Sequence, residues 1–514
     1  MHTSLNAIQL LGLKAKPVEV EVDIRPGLPA FSIIGLPDRS MEEARDRIMA
    51  ALTNTGFKSP NHLNQKITVS LAPADVKKTG SHLDTAIAIG LLIAEKQIPD
   101  INVKEKIFIG ELGLNGNLKR TTGVLPLVKA AADLGFKEIY IPEANAEEAS
   151  LVRKIKILPV KNLRQLLYHL KEPAAFTISP LPVYKKTKTE NYSTITLDDI
   201  VGQQPAKRAV LIAASGGHHL ALFGPPGAGK TLLAKALTGL LPTPDLNDTA
   251  EITTVYSAAG LSQGQIIKDR PFRCPHHTAS SPAITGGGNI PKPGEITLAH
   301  KGVLFMDEFT EFDQKILEAL REPLETKNVT VARSRYSATF PANFILVAAF
   351  NPCPCGHRLS ETKPCTCSPA TLYRYDKKIS GPIIDRLDLW TYLPPVPIKQ
   401  LAKSKKDDHH QEQTEAKLKI KKARDCQKQR FISNKNLKLN ADLEPNNLEQ
   451  YAKMTPKTKV NLTQAAEKLE LSARVYHKLI KIARTIADLE ESDKIKPEHM
   501  MEALQYRHTT INSR

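Results

Sequence analysis

Two patterns predict an α/β protein with an all-helical carboxyl-terminal part. Three short apolar runs, Leu220 to Phe223, Val303 to Met306 and Phe344 to Ala349, are each followed by a Gly-rich or polar segment, as in a parallel sheet that feeds functional loops at its carboxyl edge. Beyond Pro397 the patterning is helical, with no strand signal. The 514 residues carry 71 Lys+Arg against 54 Asp+Glu, a formal +17, which favours an anionic partner, nucleic acid first and anionic membrane second. Hydrophobic residues at 41% and charged residues at 24% exclude a largely disordered chain and a polytopic membrane protein. Aromatic residues at 5% are too few for a base-stacking platform, so DNA binding would lean on phosphates.

Taken in order, residues 1–171 alternate β-branched runs (Val18 to Val22, Ile67 to Ser70, Ile107 to Gly110) with helical patterns over Met41 to Leu52 and Leu83 to Ala94, a mixed α/β domain. The first apolar run, Ile8 to Leu13, lacks a basic flank and is too short for a signal segment, so a cytoplasmic protein is expected, with no membrane partner. Residues 172–196 contain Pro173, Pro180, Pro182 and a Lys-Lys-Thr-Lys tract, the composition of a tether. The apolar strands lie in 197–397. Residues 398–514 form the helical remainder, and its window 401–440 holds twelve Lys/Arg against five Asp/Glu, a local +7.

Gly224-Pro225-Pro226-Gly227-Ala228-Gly229-Lys230-Thr231 fits G-x-x-x-x-G-K-[ST], follows an apolar strand and opens a helical run. Glycines there let backbone N–H groups wrap phosphates, Lys230 reaches the β and γ oxygens, and the Thr231 hydroxyl ligates Mg²⁺. The run Val303 to Met306 ends in Asp307 and Glu308. Asp307 would hold Mg²⁺ through water and Glu308 would accept a proton from the attacking water, which makes an ATP hydrolase rather than a passive nucleotide switch. The third run ends at Asn351, where a neutral polar side chain can orient that water; an Asn at a strand end is also a common turn residue.

The P-loop, the Asp-Glu strand end and the polar sensor together resemble the AAA+ ATPases, from Leu197 to the carboxyl terminus. The resemblance implies an α/β AAA+ core with a helical lid. It makes Arg386, in Ser380-Gly-Pro-Ile-Ile-Asp-Arg-Leu-Asp388, an arginine finger for a neighbouring subunit's γ-phosphate, and Arg474, in Leu471-Ser-Ala-Arg-Val-Tyr476, a second sensor contacting nucleotide within its own subunit. It also lays Ile200, Val201 and Gly202, in Asp199-Ile-Val-Gly-Gln203, against adenine.

From Lys230 to Asp307 is 77 positions, more than a strand-helix-strand passage needs, so an insert is expected. A second insert, Asn328 to Phe340, alternates like a hairpin with Arg333 and Arg335 near its tip, suited to gripping phosphates without reading bases. Arg270-Pro-Phe-Arg273, Pro275-His-His-Thr278 and Pro293-Gly-Glu-Ile-Thr-Leu-Ala-His300 resemble the magnesium-chelatase-type branch of AAA+ proteins, and the bacterial YifB/ComM group in particular. The adjacent His276 and His277 have no metal-ligand spacing and read as hydrogen-bonding loop residues. Val69-Ser-Leu-Ala-Pro-Ala-Asp-Val-Lys-Lys78 and Ile109-Gly-Glu-Leu-Gly-Leu-Asn-Gly116 are similar to that group's amino-terminal domain, itself similar to the α+β Lon protease fold. At the places of the Lon-type Ser-Lys dyad stand His82 and Leu125, with Ser81 one position off, so this domain is expected to be a noncatalytic scaffold.

Cys353-Pro-Cys355 and Cys365-Thr-Cys367 place four thiols just past Asn351, a set that favours a structural Zn²⁺, with four reduced thiols in an irregular loop as the alternative. The resemblance implies a hexameric ATP-driven motor on single-stranded and branched DNA, alongside recombination proteins, promoting branch migration in homologous recombination during natural transformation. A magnesium chelatase-like subunit remodelling a protein partner for metal insertion is the competing reading, and an ATP-dependent protease the third.

Overall fold

The computed structural model of the chain describes all residues except 58–64, 76, 100, 187–194, 289–290, 333–336, 360–362, 398–410, 435 and 509–514. At the amino terminus, His2–Leu11, Lys14–Pro26, Gln65–Ala72 and Ala30–Ile34 pair in that order, antiparallel except for the last pair. Period-two patterning sets the buried face: Val18, Val20, Val22 and Ile24 point inward from Lys14–Pro26. Against that face lies Asp84–Ala94, every residue of which is buried, as expected of a helix that is apolar all round. Lys106–Phe108, Glu138–Pro142 and Lys156–Val160 form a second, parallel sheet.

The stretch expected to be a tether is docked over its described part. Ile178 is buried, the Leu181 N–H donates to Ile157 O at 2.8 Å, the Tyr184 N–H to Ser150 O at 3.0 Å, and Lys186 reaches Pro244 O at 2.5 Å. Prolines hold the backbone extended, and the apolar residues between them find a surface to cover. Residues 187–194 lie outside the described part.

The central sheet runs Phe272–Arg273, Val303–Met306, Ile345–Phe350, Leu220–Phe223, Leu389–Tyr392, with every pair parallel. Val303–Met306 and Ile345–Phe350 are buried throughout, because helices and inserts cover both faces. The expected first insert holds the helix Leu246–Ala258 and a loop closed by Arg273, whose guanidinium makes two 2.6 Å bonds to Glu295. The amino-terminal part docks on this insert: Gly123 N–H donates to Ser257 O at 3.0 Å, and the buried Glu148 carboxylate accepts from Ser262 Oγ at 2.9 Å. The second insert is the expected hairpin, Asn328–Ala332 against Ser337–Pro341. Its tip, with Arg333 and Arg335, lies outside the described residues.

Beyond residue 410 the elements are helices: Gln411–Arg430, Pro445–Ala452, Pro456–Lys468, Ala473–Leu489 and Pro497–Gln505, with one short 3-10 turn. Ala416, Ile420, Leu479, Ile482 and Ile486 share one core with Val210 and Leu237. Arg484, fully buried, is satisfied by Asp488 at 2.9 Å and by the carbonyls of Ser492 and Asp493. No helix of the described residues is long and apolar enough to cross a membrane.

Candidate active site

Four elements converge at the carboxyl end of the central sheet. Leu220–Phe223 runs into the Gly224–Thr231 loop, and the helix Lys230–Leu240 begins where that loop ends. Gly227 and Gly229 have φ of +76° and +93°, and a Cβ at either would meet nothing within 4 Å, so glycine is needed for backbone conformation and not for space. Gln203 Nε2 donates to Ala228 O at 3.3 Å and Pro394 O at 2.7 Å, tying the Ile200-Val201-Gly202 segment to the loop. Ile200 is buried there, and Val201 and Gly202 are half-buried.

Lys230 Nζ donates to Asn351 Oδ1 at 2.9 Å and to Gly224 O at 2.7 Å. Burial lowers its pKa, opposed by Asp307 and Glu308. Thr231 Oγ1 donates to Asp307 Oδ2 at 3.2 Å, an oxygen pair of the kind a hard divalent cation takes. Glu308 sits in the left-handed region at φ +50°, a conformation that costs a non-glycine residue about 1–3 kcal/mol and recurs at functional sites. Its carboxylate is more than half exposed and lies 3.1 Å from His277 Nδ1, while its N–H donates to Asp307 Oδ1 at 3.0 Å. Lys230, Thr231, Asp307, Glu308 and Asn351 are thus together.

Arg386 and Arg474 lie elsewhere. The Arg386 guanidinium is nearly buried against Glu325, with Nη1 on Pro382 O at 2.6 Å and Nε without a hydrogen-bond partner among the described residues. Arg474 is 59% exposed, 3.6 Å from the same Glu325 carboxylate and 3.8 Å from Asp385. Both line a cleft of about 1460 Å³ shared with Gly217, His219, Gly302 and Phe344, the residues that lead into the strands. This is the amino end of the sheet, so the structure does not bring Arg474, expected to contact nucleotide within its own subunit, to the Gly224–Thr231 loop. The reason is packing: Leu479, Ile482 and Ile486 seat the helix Ala473–Leu489 in the core, and Lys478 Nζ donates to Leu387 O at 2.6 Å, which holds its first turns over that end.

The four thiols form one cluster. Cys353, Cys355, Cys365 and Cys367 place their sulfurs all within 4.8 Å of one another, and all are free cysteines. Backbone amides of His357 and Thr366 donate to the Cys355 sulfur and favour its thiolate; burial pushes Cys353 the other way. In the amino-terminal part, Ser81 Oγ donates to Glu111, buried Lys78 to Pro73 O, and Leu125 is buried. His276 hydrogen-bonds Thr278 at 2.8 Å, the loop role expected from its sequence, and His277 Nδ1 lies 3.1 Å from the Glu308 carboxylate. What the sequence did not reveal is that the partner of His277 is Glu308, because the strand that delivers it, Phe272–Arg273, has only two residues. Tyr375 also went unnoticed: its hydroxyl donates to Asn351 O at 2.9 Å and accepts from Thr310 at 3.0 Å.

Across its length the chain is 41% identical to Competence protein ComM of Haemophilus influenzae over 504 residues, 97% of this chain and 96% of that one. The chain belongs to the ComM/YifB family. YifB of Escherichia coli is 38% identical over 498 residues, 97% of this chain and 95% of that protein. The family described as Magnesium chelatase, subunit ChlI matches residues 196–401; Subunit ChlI of Mg-chelatase matches 20–145, and the ChlI carboxyl-terminal family 411–507. The Magnesium-chelatase 38 kDa subunit of Rhodobacter capsulatus is 28% identical over 171 residues, 30% of this chain and 49% of that one. The ComM/YifB family is therefore magnesium chelatase-like, its α/β module with a parallel sheet is of the AAA+ type, and ATP with Mg²⁺ is what such an ATPase module takes.

Proposed function

We propose that this protein is an ATP-driven motor, assembled as a hexameric ring, that moves along single-stranded and branched DNA and promotes branch migration in homologous recombination during natural transformation. The observation that carries this reading is the carboxyl-end cluster, with Lys230 on Asn351 and Thr231 on Asp307, in a chain of formal charge +17. The relative named as a competence protein supports the biological setting. Recombination proteins are the natural co-workers of such a motor.

In this mechanism the N–H groups of Gly224 to Thr231 cradle the phosphates of ATP and Lys230 exchanges its bond to Asn351 for one to phosphate oxygen. Ile200, Val201 and Gly202 lie along the base. Thr231 and Asp307 would hold Mg²⁺, which when bound neutralises charge on the β and γ oxygens. Glu308 takes the proton of the attacking water, and Asn351, released from Lys230, orients that water. Arg386 and Arg474, at the far end of the sheet, serve a neighbouring copy's γ-phosphate. Arg333 and Arg335 grip the DNA backbone from the hairpin tip. The amino-terminal domain is a noncatalytic scaffold, supported by the pairing of Ser81 with Glu111. Cys353, Cys355, Cys365 and Cys367 hold a structural Zn²⁺.

The test is ATP hydrolysis with and without branched DNA at several salt concentrations, for the wild type and for Arg333→Ala/Arg335→Ala. Stimulation that fades with salt and is lost in the double variant is expected, because phosphate contacts release counterions. Turnover indifferent to DNA would favour the second reading, remodelling of a protein partner for metal insertion, which the likeness to the 38 kDa subunit supports.

A further inference from the structure

We propose that the metal held by the four thiols is a strut of the nucleotide site, so that its occupancy sets the position of Asn351 and of the P-loop; the proposal rests on the zinc reading above and extends it to control of hydrolysis. The first ground is the fit of the cluster. Cys353 Sγ lies 3.3 Å from Cys355 Sγ and 3.8 Å from Cys365 Sγ, and Cys355 Sγ lies 3.5 Å from Cys365 Sγ. Tetrahedral Zn²⁺ at about 2.3 Å from each sulfur places ligand sulfurs about 3.8 Å apart, whereas a disulfide needs about 2.05 Å.

The second ground is what the loop touches. Cys353 follows Asn351 by two residues, with buried Pro352 between, so a fixed Cys353 leaves Asn351 little freedom. Gly356 has φ +80° and donates its N–H to Cys353 O at 3.0 Å; a Cβ built on it would lie 3.0 Å from Pro226 Cδ, so the thiol loop rests on the P-loop itself. Tyr392 Oη donates to Leu359 O at 3.1 Å, and Tyr375 Oη to Asn351 O at 2.9 Å, which ties the same loop to the end of a central strand and to Thr310, two residues past Glu308. Lys230 meets Asn351 Oδ1 across this junction. No covalent bond joins the two C-x-C pairs, which stand nine residues apart in the chain, so without an ion only sulfur contacts hold one pair to the other. With it, Asn351 and Pro226 are braced against one rigid knot.

The experiment uses the full chain. Zinc is quantified in the purified protein, then removed with a thiol-competing chelator and restored, while hydrolysis and the affinity for a fluorescent ATP analogue are followed at saturating Mg²⁺. Roughly one zinc per chain is expected, with removal lowering turnover by roughly 10- to 100-fold and weakening the analogue, and with Zn²⁺ restoring both. Cys365→Ser should reproduce the loss, and Cys365→His, which keeps a fourth ligand, should retain zinc and turnover. Zinc near zero in active protein would overturn the zinc reading and the strut with it. Zinc bound at one per chain, yet removable with turnover and analogue affinity unchanged, would overturn the strut alone and leave the zinc reading standing.

Discussion

At the carboxyl end of the central sheet the polar groups answer one another, Lys230 with Asn351, Thr231 with Asp307 and Glu308 with His277. At the amino end two guanidinium groups meet at the carboxylate of Glu325, with Asp385 3.8 Å from Arg474, and Arg386 keeps a buried Nε with no acceptor among the described residues. The first arrangement has donors and acceptors ready to trade for a ligand. The second leaves one donor, Arg386 Nε, without an acceptor among the described residues, and a buried donor left unpaired costs about 1–3 kcal/mol. On the proposed reading, the missing acceptor is phosphate bound to a neighbouring copy, so each subunit carries one complete half-site and one incomplete one. The helix that brings Arg474 to that end is held there by core packing, which makes the asymmetry a property of the fold.

The largest expected effect breaks this comparison at its amino end. Arg386→Ala should lower turnover by roughly 10³-fold or more while the same chain binds the fluorescent ATP analogue as the wild type does, because the cation acts away from its own P-loop. A variant that loses analogue affinity in proportion to turnover would place Arg386 at its own nucleotide. Next is a contrast between two buried arginines. Arg484 is fully paired with Asp488 and backbone carbonyls, so Arg484→Ala should destabilise by about 3–5 kcal/mol in urea unfolding. Arg386→Ala, which removes an unsatisfied donor, should cost under about 1 kcal/mol; equal losses would erase the distinction.

The smallest effect is a pH dependence of the amino end. His219 accepts the Leu346 N–H at 3.1 Å, and burial holds its pKa down to about 4 although Asp388 lies near; His218, Lys478 and Lys327 push the same way as burial. A histidine depressed in the fold contributes stability that is fully present above its unfolded pKa of about 6.5 and is lost as pH falls towards 4, where the unfolded chain takes up the proton first. Stability should therefore fall between about pH 6.5 and 4, and His219→Gln, which keeps an acceptor, should flatten that segment. An unchanged slope would remove His219 from the account.

Much of the carboxyl end was legible in the sequence because its signals are contiguous. The P-loop, the Asp307-Glu308 strand end, the Asn351 strand and the hairpin from Asn328 each carry their pattern within one short stretch, and strands buried on both faces need no partner information to be seen. The rest depends on contacts between distant segments. Leu389–Tyr392 and the two-residue Phe272–Arg273 are too short to show a period, yet the latter delivers His277 to Glu308. Arg474 has the local look of a second sensor, but its place is decided by how the helix Ala473–Leu489 packs. The docked stretch from Ile178 to Lys186 reads as linker by composition, because one buried side chain, Ile178, and a few backbone hydrogen bonds hold it, and these leave no period in the sequence.

The division between a complete end and an incomplete one is tested most directly by co-assembling Glu308→Gln and Arg386→Ala subunits from dissociated chains and measuring ATP hydrolysis across mixing ratios. Each variant alone should be nearly inactive. An equal mixture should regain roughly a quarter of wild-type turnover, since half the subunits keep Glu308 and half of their neighbours keep Arg386. Activity that stays at the sum of the two residual rates at every ratio would contradict the account.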